Sequence, residues 1–235
     1  MIKGVIFDYG GTLDSRGVHW SEVLWQGWRQ AGVPVNKDVF RIAYVEGERA
    51  LARERVILPQ DNFLQLLRKK VPIELAAVPV ETLGNPSPGQ LREWAESVAA
   101  YCYDAARACI EEARPVLQAL SERFPLMVVS NFYGNIDEVL RDFGIRHFFK
   151  GIIESSVVGI RKPNPTLFRL GVDALELPAE QVLVVGDSLR KDIEPAEQLG
   201  CQVMWLKGKG WTADEDALTH PHQIDRISQV LDILQ

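Results

Sequence analysis

Residues 2–14, Ile2-Lys3-Gly4-Val5-Ile6-Phe7-Asp8-Tyr9-Gly10-Gly11-Thr12-Leu13-Asp14, decide how the rest of the chain is read. Val5, Ile6 and Phe7 read as the end of a fully buried strand, with Ile2 and the small Gly4 before them. Asp8 follows at the strand's carboxyl end, and Gly10-Gly11 then forces a tight turn. In open parallel α/β sheets, ligands sit in the crevice beyond the carboxyl ends of the strands, so Asp8 stands where chemistry can occur. The alternative reading of such an aspartate is a turn residue or helix cap.

The chain of 235 residues is long enough for one large domain or two small ones. Apolar residues make up 46% and charged residues 25%, an ordinary globular balance. A net charge of −6 provides no basic footprint for nucleic acid. No apolar run reaches membrane-spanning length, and residues 2–7 are too short for a signal peptide. Cys102, Cys109 and Cys201 have no metal-ligand spacing. On one helix, Cys102 and Cys109 would have Cα atoms about 10 Å apart, beyond disulfide reach. Reduced thiols and a cytoplasmic setting are expected. No motif separates a monomer from a homodimer.

After the first turn the pattern changes. From Val18 to about Ala113 apolar residues recur at helical spacing. A first helix is expected over 18–28 with Ser21 as one possible cap, and a second from Asn36 or Asp38 to about Arg55. A third is expected near Phe63 to Lys69, with Pro72 and Pro79 as punctuation. A loop at 84–89 follows, then a helix from Gly89 to Glu112 and a separate one from Pro115 to Phe124. Beyond it strands and helices alternate. Strands are expected at 126–130, at Ile152-Ile153, at 182–185 and at 202–206, with helices at 134–143, 166–175 and from Ser188 to Leu199. This alternation implies a mainly parallel sheet with right-handed crossovers. The expected division is a discontinuous α/β core, 1–16 and 113–235, with an all-helical insert at 17–112.

Four groups fall after strands or in strand-adjacent loops: Asp8 with Thr12, Ser130 with Asn131, Lys162, and Asp187 with Asp192. Taken singly, Ser130-Asn131 reads equally as a turn, Lys162 as a solvated lysine, Asp187-Ser188 as a cap and Asp192 as a surface charge. Jointly they supply a nucleophile, hydrogen-bond donors, a cation and metal-binding carboxylates, which are the requirements of phosphoryl transfer.

The stretches FDYGGTLD, VVSN, RKPNP and VVGDSLRKD, in that order, resemble the four motifs of the haloacid dehalogenase superfamily. The insert resembles that family's helical cap placed after the first motif. The resemblance implies a Rossmann-like core of five main parallel strands and a Mg²⁺-dependent phosphatase acting on a small phosphorylated compound. It implies Asp8 as the nucleophile, forming an aspartyl-phosphate, with Asp8, the Gly10 carbonyl, Asp187 and Asp192 around the metal. Thr12, Ser130 and Asn131 would serve the phosphoryl group, and Lys162 would neutralise charge on it and on Asp8.

One departure matters. Phosphatases of this family carry a second aspartate two residues after the nucleophile as general acid and base, and here that position is Gly10. General acid–base catalysis is worth about 100- to 10,000-fold. Three consequences compete: restriction to good leaving groups such as acyl phosphates, substitution by His19 or Asp14, or a protein that binds a phosphorylated ligand with little turnover. Dehalogenases of the family carry tyrosine at the position, whereas here Tyr9 stands one place earlier, and the aspartate pair suits a metal that dehalogenation does not need. A Schiff-base lysine in the insert is the requirement for phosphonate cleavage, and Lys37, Lys69 and Lys70 read as solvated helix charges. Arg49, Arg53 and Arg55 could meet an anion and Trp20, Trp25 or Trp28 a ring. The alternatives are a solvated face and core packing.

Overall fold

The structure, a computed structural model, describes residues 1–234. Six strands form one parallel sheet in the order β3-β2-β1-β4-β5-β6. They are β1 (Gly4–Phe7), β2 (Leu126–Ser130), β3 (Phe149–Glu154), β4 (Val182–Gly186), β5 (Gln202–Leu206) and β6 (Gln223–Ile224). The expectation of five main strands missed β6, whose two residues are too short to show a period.

Side chains along each strand alternate between two cores. Val5 and Phe7 of β1, Leu126 and Val128 of β2, and Leu183 and Val185 of β4 enter one cluster. Ile6, Met127, Val129, Val182 and Val184 enter the other. Both faces are covered, which is why these strands read as unbroken apolar runs. Strand order reverses between β1 and β4, and the paired register Phe7–Val185 brings their carboxyl ends level. Such a reversal opens the crevice where ligands bind.

Four helices lie between β1 and β2: α1 (Trp20–Gln30), α2 (Lys37–Arg53), α3 (Phe63–Ala76) and α4 (Pro88–Ser121). The helix start expected at Ser21 moves, because the His19 ring accepts from the Ser21 backbone N–H and acts as the cap. Asn36 caps α2 as its type predicts. Two prolines were read as breaks and are not. Pro72 lies inside α3 and Pro115 inside α4. Each removes one helical N–H, but both helices are held by packing: Val71 and Leu75 are buried beside Pro72, and Val116 and Leu117 beside Pro115. α4 is consequently one helix of 34 residues that passes through the expected boundary at 112/113. Its buried side chains join Trp28 and Phe40 of the insert to the β1–β2 face in one apolar cluster.

The remaining helices, α5 (Ile136–Asp142), α6 (Ser155–Val158), α7 (Thr166–Leu175), α8 (Glu194–Gln198), α9 (Ala213–Ala217) and α10 (Gln229–Ile233), follow the later strands. A five-residue π-helical turn, Leu189–Ile193, precedes α8 where a single helix was expected. Among the described residues no helix is long and apolar enough to cross a membrane. The three cysteines are buried and unpaired.

The chain leaves the core for the insert at Gly17, pressed against Gly208 of the segment after β5. A Cβ at Gly17, whose φ is +78°, would stand 2.6 Å from the Gly208 nitrogen and 2.6 Å from the Leu206 carbonyl oxygen. Gly32 has a similar φ, +76°, with nothing within 4 Å of its Cβ position. Gly32→Ala is therefore expected to cost about 1–2 kcal/mol, the price of left-handed backbone alone. Gly17→Ala is expected to cost at least about 1 kcal/mol more. Urea unfolding of the two variants measures the difference, and equal losses would refute a steric crossing at this point.

Candidate active site

Asp8 is the first residue after β1, and its backbone N–H donates to the Val185 carbonyl at 2.9 Å. Its side chain is 5% exposed. Oδ1 accepts from Ser130 Oγ at 2.9 Å and from Lys162 Nζ at 2.6 Å. Oδ2 lies 3.3 Å from Thr12 Oγ1, which is also 3.0 Å from Asp187 Oδ1. A hydroxyl carries one proton, so Thr12 donates to one of these carboxylates at a time.

The Lys162 ammonium is shared. It donates to Asp192 Oδ1 at 2.6 Å as well as to Asp8, and the lysine is buried. The Ser188 backbone N–H donates to Asp192 Oδ2 at 3.0 Å. Ser188 Oγ caps the turn that carries Asp192 by accepting from the Lys191 N–H. Trp205 Nε1 donates to the Asp187 carbonyl at 2.6 Å, so β5 fixes the backbone of that residue.

Two glycines make room for the carboxylates. A Cβ on Gly11, whose φ is +103°, would lie 2.4 Å from Asp187 Oδ1, and one on Gly186 would lie 2.4 Å from the Asp192 Cβ. Any side chain at either place displaces an acid.

The electrostatics follow from this crowding. Asp8, Asp187 and Asp192 each offer an oxygen within 4.8 Å of the others. Burial, then the charges of Asp192 and Asp8, push Asp187 well above the ordinary carboxylate range. Burial also raises Asp192, and Lys162 offsets part of the rise. Burial alone would lower the Lys162 pKa, but Asp192 and Asp8 outweigh it and raise it. A set of hard oxygen donors that one ammonium leaves under-neutralised fits a divalent cation such as Mg²⁺.

Asn131 is placed differently from a simple phosphate ligand. Its Oδ1 accepts from the Lys162 N–H at 2.9 Å and its Nδ2 donates to the Lys162 carbonyl at 3.2 Å. The side chain therefore fixes the lysine loop. This role has no signature in local sequence, because the partner lies thirty-one residues away.

At Gly10 nothing lies within 4 Å of the Cβ position, so packing leaves room for a side chain there. The two substitutes considered for the missing acid are both engaged. Asp14 accepts from the Gly11 N–H at 2.7 Å and from Trp20 Nε1 at 3.0 Å, tying the loop after Asp8 to α1. Burial raises its pKa to about 8 against these two hydrogen bonds. His19 is pushed down to about 4 by burial, with Lys191 adding to the effect, so its imidazole is neutral near pH 7. Tyr9 is fully buried, edge-on to Phe132 at 5.5 Å and Phe63 at 6.5 Å, and is spent on aromatic packing.

In the helical insert the arginines and tryptophans follow their simpler readings. Arg49, Arg53 and Arg55 are exposed, and Trp28 is wholly buried against Phe40. Lys37 pairs with Glu22 and Lys69 with Asp61, each at 2.5 Å. Lys70 corrects the sequence reading, because it is buried rather than solvated. It pairs with Glu48, lies 3.3 Å from Glu74 Oε1, and also stands 3.3 Å from the hydroxyl of Tyr133, three residues beyond Ser130. Lys70 falls on the apolar stripe of α3, between Leu66–Leu67 and Leu75. That periodicity was the available signal.

Glu74 is wholly enclosed, and burial pushes it up to about 7 although Lys70 pulls it down. The unfolded carboxyl loses its proton near 4.5, so the folded state keeps a proton that the unfolded state has lost between there and pH 7. Stability therefore falls as pH rises through that window, by about 3 kcal/mol. Glu74→Gln is expected to flatten this fall between pH 5 and 8 in urea unfolding. Parallel curves for wild type and variant would contradict it.

A family model for haloacid dehalogenase-like hydrolases matches residues 2–200. The glyceraldehyde 3-phosphate phosphatase of Methanocaldococcus jannaschii is 35% identical over 99 residues, 42% of this chain and 43% of that protein. The phosphoserine phosphatase of Thermus thermophilus is 31% identical over 105 residues, 44% and 40% of the two chains. The matched stretch thus spans under half the length of these curated relatives. In fold, the chain is similar to the HAD-hydrolase YfnB of Bacillus subtilis, solved bound to magnesium. The TM-score is 0.56 at 21% identity, covering 99% and 98% of the two chains. A 2-haloacid dehalogenase of Pseudomonas syringae gives 0.54 at 24%, covering 100% and 98%. With three motif stretches at the ends of β1, β2 and β4, the fourth in the loop between α6 and α7, and the helical insert between β1 and β2, the chain belongs to the haloacid dehalogenase-like hydrolases.

Proposed function

We propose that the chain is a Mg²⁺-dependent phosphatase of small phosphorylated metabolites, acting through Asp8 in the cytoplasm. The observation that carries this reading is the asymmetry of Asp8. One oxygen is held by Lys162 and Ser130, and the other faces Thr12 and Asp187.

A carboxylate and a phosphate repel as they approach, so positive charge and aligned donors must be in place beforehand. Lys162 supplies charge from a buried position, and Asp192, fixed by the Ser188 N–H, aims its ammonium at Asp8. Asn131 fixes the backbone that carries that ammonium. Ser130 Oγ and Thr12 Oγ1 are hydroxyls within reach of the incoming phosphoryl oxygens. Asp8, the Gly10 carbonyl and Asp187 would hold Mg²⁺, with Asp192 alongside. When bound, the ion supplies charge neutralisation on the carboxylates and the phosphoryl group. An oxygen of Asp8 attacks phosphorus, the bond to the leaving oxygen breaks, and water then cleaves the aspartyl-phosphate to free phosphate and the carboxylate.

The leaving oxygen must take a proton unless it leaves as a stable anion, and Gly10 supplies none. Acyl phosphates fit this site best. Gly10→Asp introduces the acid where the structure leaves space.

Phosphate release with Mg²⁺ is expected from acetyl phosphate and is expected to vanish in Asp8→Asn. Gly10→Asp is expected to raise turnover of glycerol phosphate by about 100-fold or more. Equal, near-zero release by wild type and Asp8→Asn on both substrates would favour a phospho-ligand-binding protein, the reading that the missing acid at Gly10 supports.

A further inference from the structure

Where α2 and α3 meet the segment after β2, three charges and two phenols are packed together. Glu48 Oε1 takes the Lys70 ammonium and, at 2.8 Å, the Tyr133 hydroxyl. The ammonium also stands 5.1 Å from the centre of the Tyr44 ring. Tyr133, which bonds Glu48, lies three residues beyond Ser130, and the Glu48 charge acts on His19 and is acted on by Arg161, the neighbour of Lys162 in sequence, which turns the cluster toward the Asp8 side of the insert.

Burial holds a proton on Glu74 up to about pH 7, so Glu48 carries the negative charge that pairs with Lys70. Glu48 and Glu74 face a single ammonium, and neither oxygen of the fully buried Glu74 has a hydrogen-bond partner among the described residues. Glu74 is enclosed and reaches only Lys70. Glu48 is the member with an outlet, because 34% of its side chain is exposed and among the described residues no hydrogen bond reaches its Oε2. The charge of Arg161, the neighbour of Lys162 in sequence, also favours the ionised form of Glu48, but among the described residues the two form no ion pair.

We propose that Glu48 is a specificity-determining residue whose free Oε2 accepts a hydrogen bond from a hydroxyl or ammonium on the leaving group and whose charge disfavours a leaving group bearing a carboxylate. This rests on the phosphatase reading of the Asp8 site. Lys70 and Tyr133 hold the other oxygen, so the acceptor is fixed in place before substrate arrives, and little side-chain freedom is lost on binding. A phosphorylated amine or polyol would satisfy the open acceptor. A phosphorylated carboxylic acid would bring a second anion against it.

The test compares kcat/KM for ethanolamine phosphate, glycerol phosphate and phosphoglycolate in Gly10→Asp, which supplies the proton these leaving groups need, and in Gly10→Asp carrying Glu48→Gln, with thermal unfolding of both proteins alongside. Glutamine keeps the shape, and Glu74, relieved of the Glu48 charge that raises its pKa, can take over the neutralisation of Lys70. The ratio of ethanolamine phosphate or glycerol phosphate to phosphoglycolate is expected to fall about 10- to 100-fold in the variant. A larger fall for ethanolamine phosphate identifies ammonium as the preferred donor, and one for glycerol phosphate identifies hydroxyl. Tyr133→Phe, which frees the held oxygen without removing charge, is expected to shift the ratios in the same direction by less. Unchanged ratios in a folded Glu48→Gln overturn the inference alone. Wild type without Asp8-dependent turnover of acetyl phosphate overturns the phosphatase reading and this inference together.

Discussion

A single buried ammonium, that of Lys162, lies between Asp8 and Asp192, and the arrangement around it depends on that contact. Three carboxylates within 4.8 Å of one another repel, and burial in low dielectric sharpens the repulsion. Removing one partner of such a buried set leaves an uncompensated charge, which typically costs about 3–5 kcal/mol. The chain accepts the cost at the point where strand order reverses, because only there do the ends of β1 and β4 converge. The residual negative charge is the property that a divalent cation and a phosphoryl group together would neutralise.

The scaffold around this contact is rigid for reasons that are apolar and local. β1, β2 and β4 are buried on both faces, so the backbone beneath Asp8, Ser130 and Asp187 has little freedom. Gly11 and Gly186 admit two carboxylates where any side chain would expel them. Asp14 links the loop after Asp8 to Trp20, the first residue of α1, and Tyr133 links the segment after Ser130 to Glu48 and Lys70. The helical insert thus communicates with the site through polar contacts at two places. Its apolar core joins the sheet through α4.

Much of this was legible in the sequence. The three motifs after β1, β2 and β4 carry local signals, an apolar run followed by a polar group and a turn, and the structure brings Asp8, Thr12, Ser130, Asp187 and Asp192 together with Lys162 from the loop after α6. What was not legible depends on distant partners. Pro72 and Pro115 look like helix ends until the packing that carries α3 and α4 past them is visible. Asn131 reads as a turn residue until Lys162 arrives beside it. Lys70 reads as solvated until Glu48, Glu74 and Tyr133 enclose it, although its place on the buried stripe of α3 hinted at the outcome.

The open space at Gly10 shows that packing does not exclude a side chain there. The central claim concerns the nucleophile, and covalent capture addresses it most directly. Rapid acid quench after mixing with Mg²⁺ and acetyl phosphate, followed by peptide mass spectrometry, would locate any phosphoryl adduct. The account predicts an acid-stable, base-labile adduct on the peptide of residues 4–16, assigned by fragmentation to Asp8 and absent from Asp8→Asn. Phosphate release that continues in Asp8→Asn, or an adduct on another residue, would contradict it.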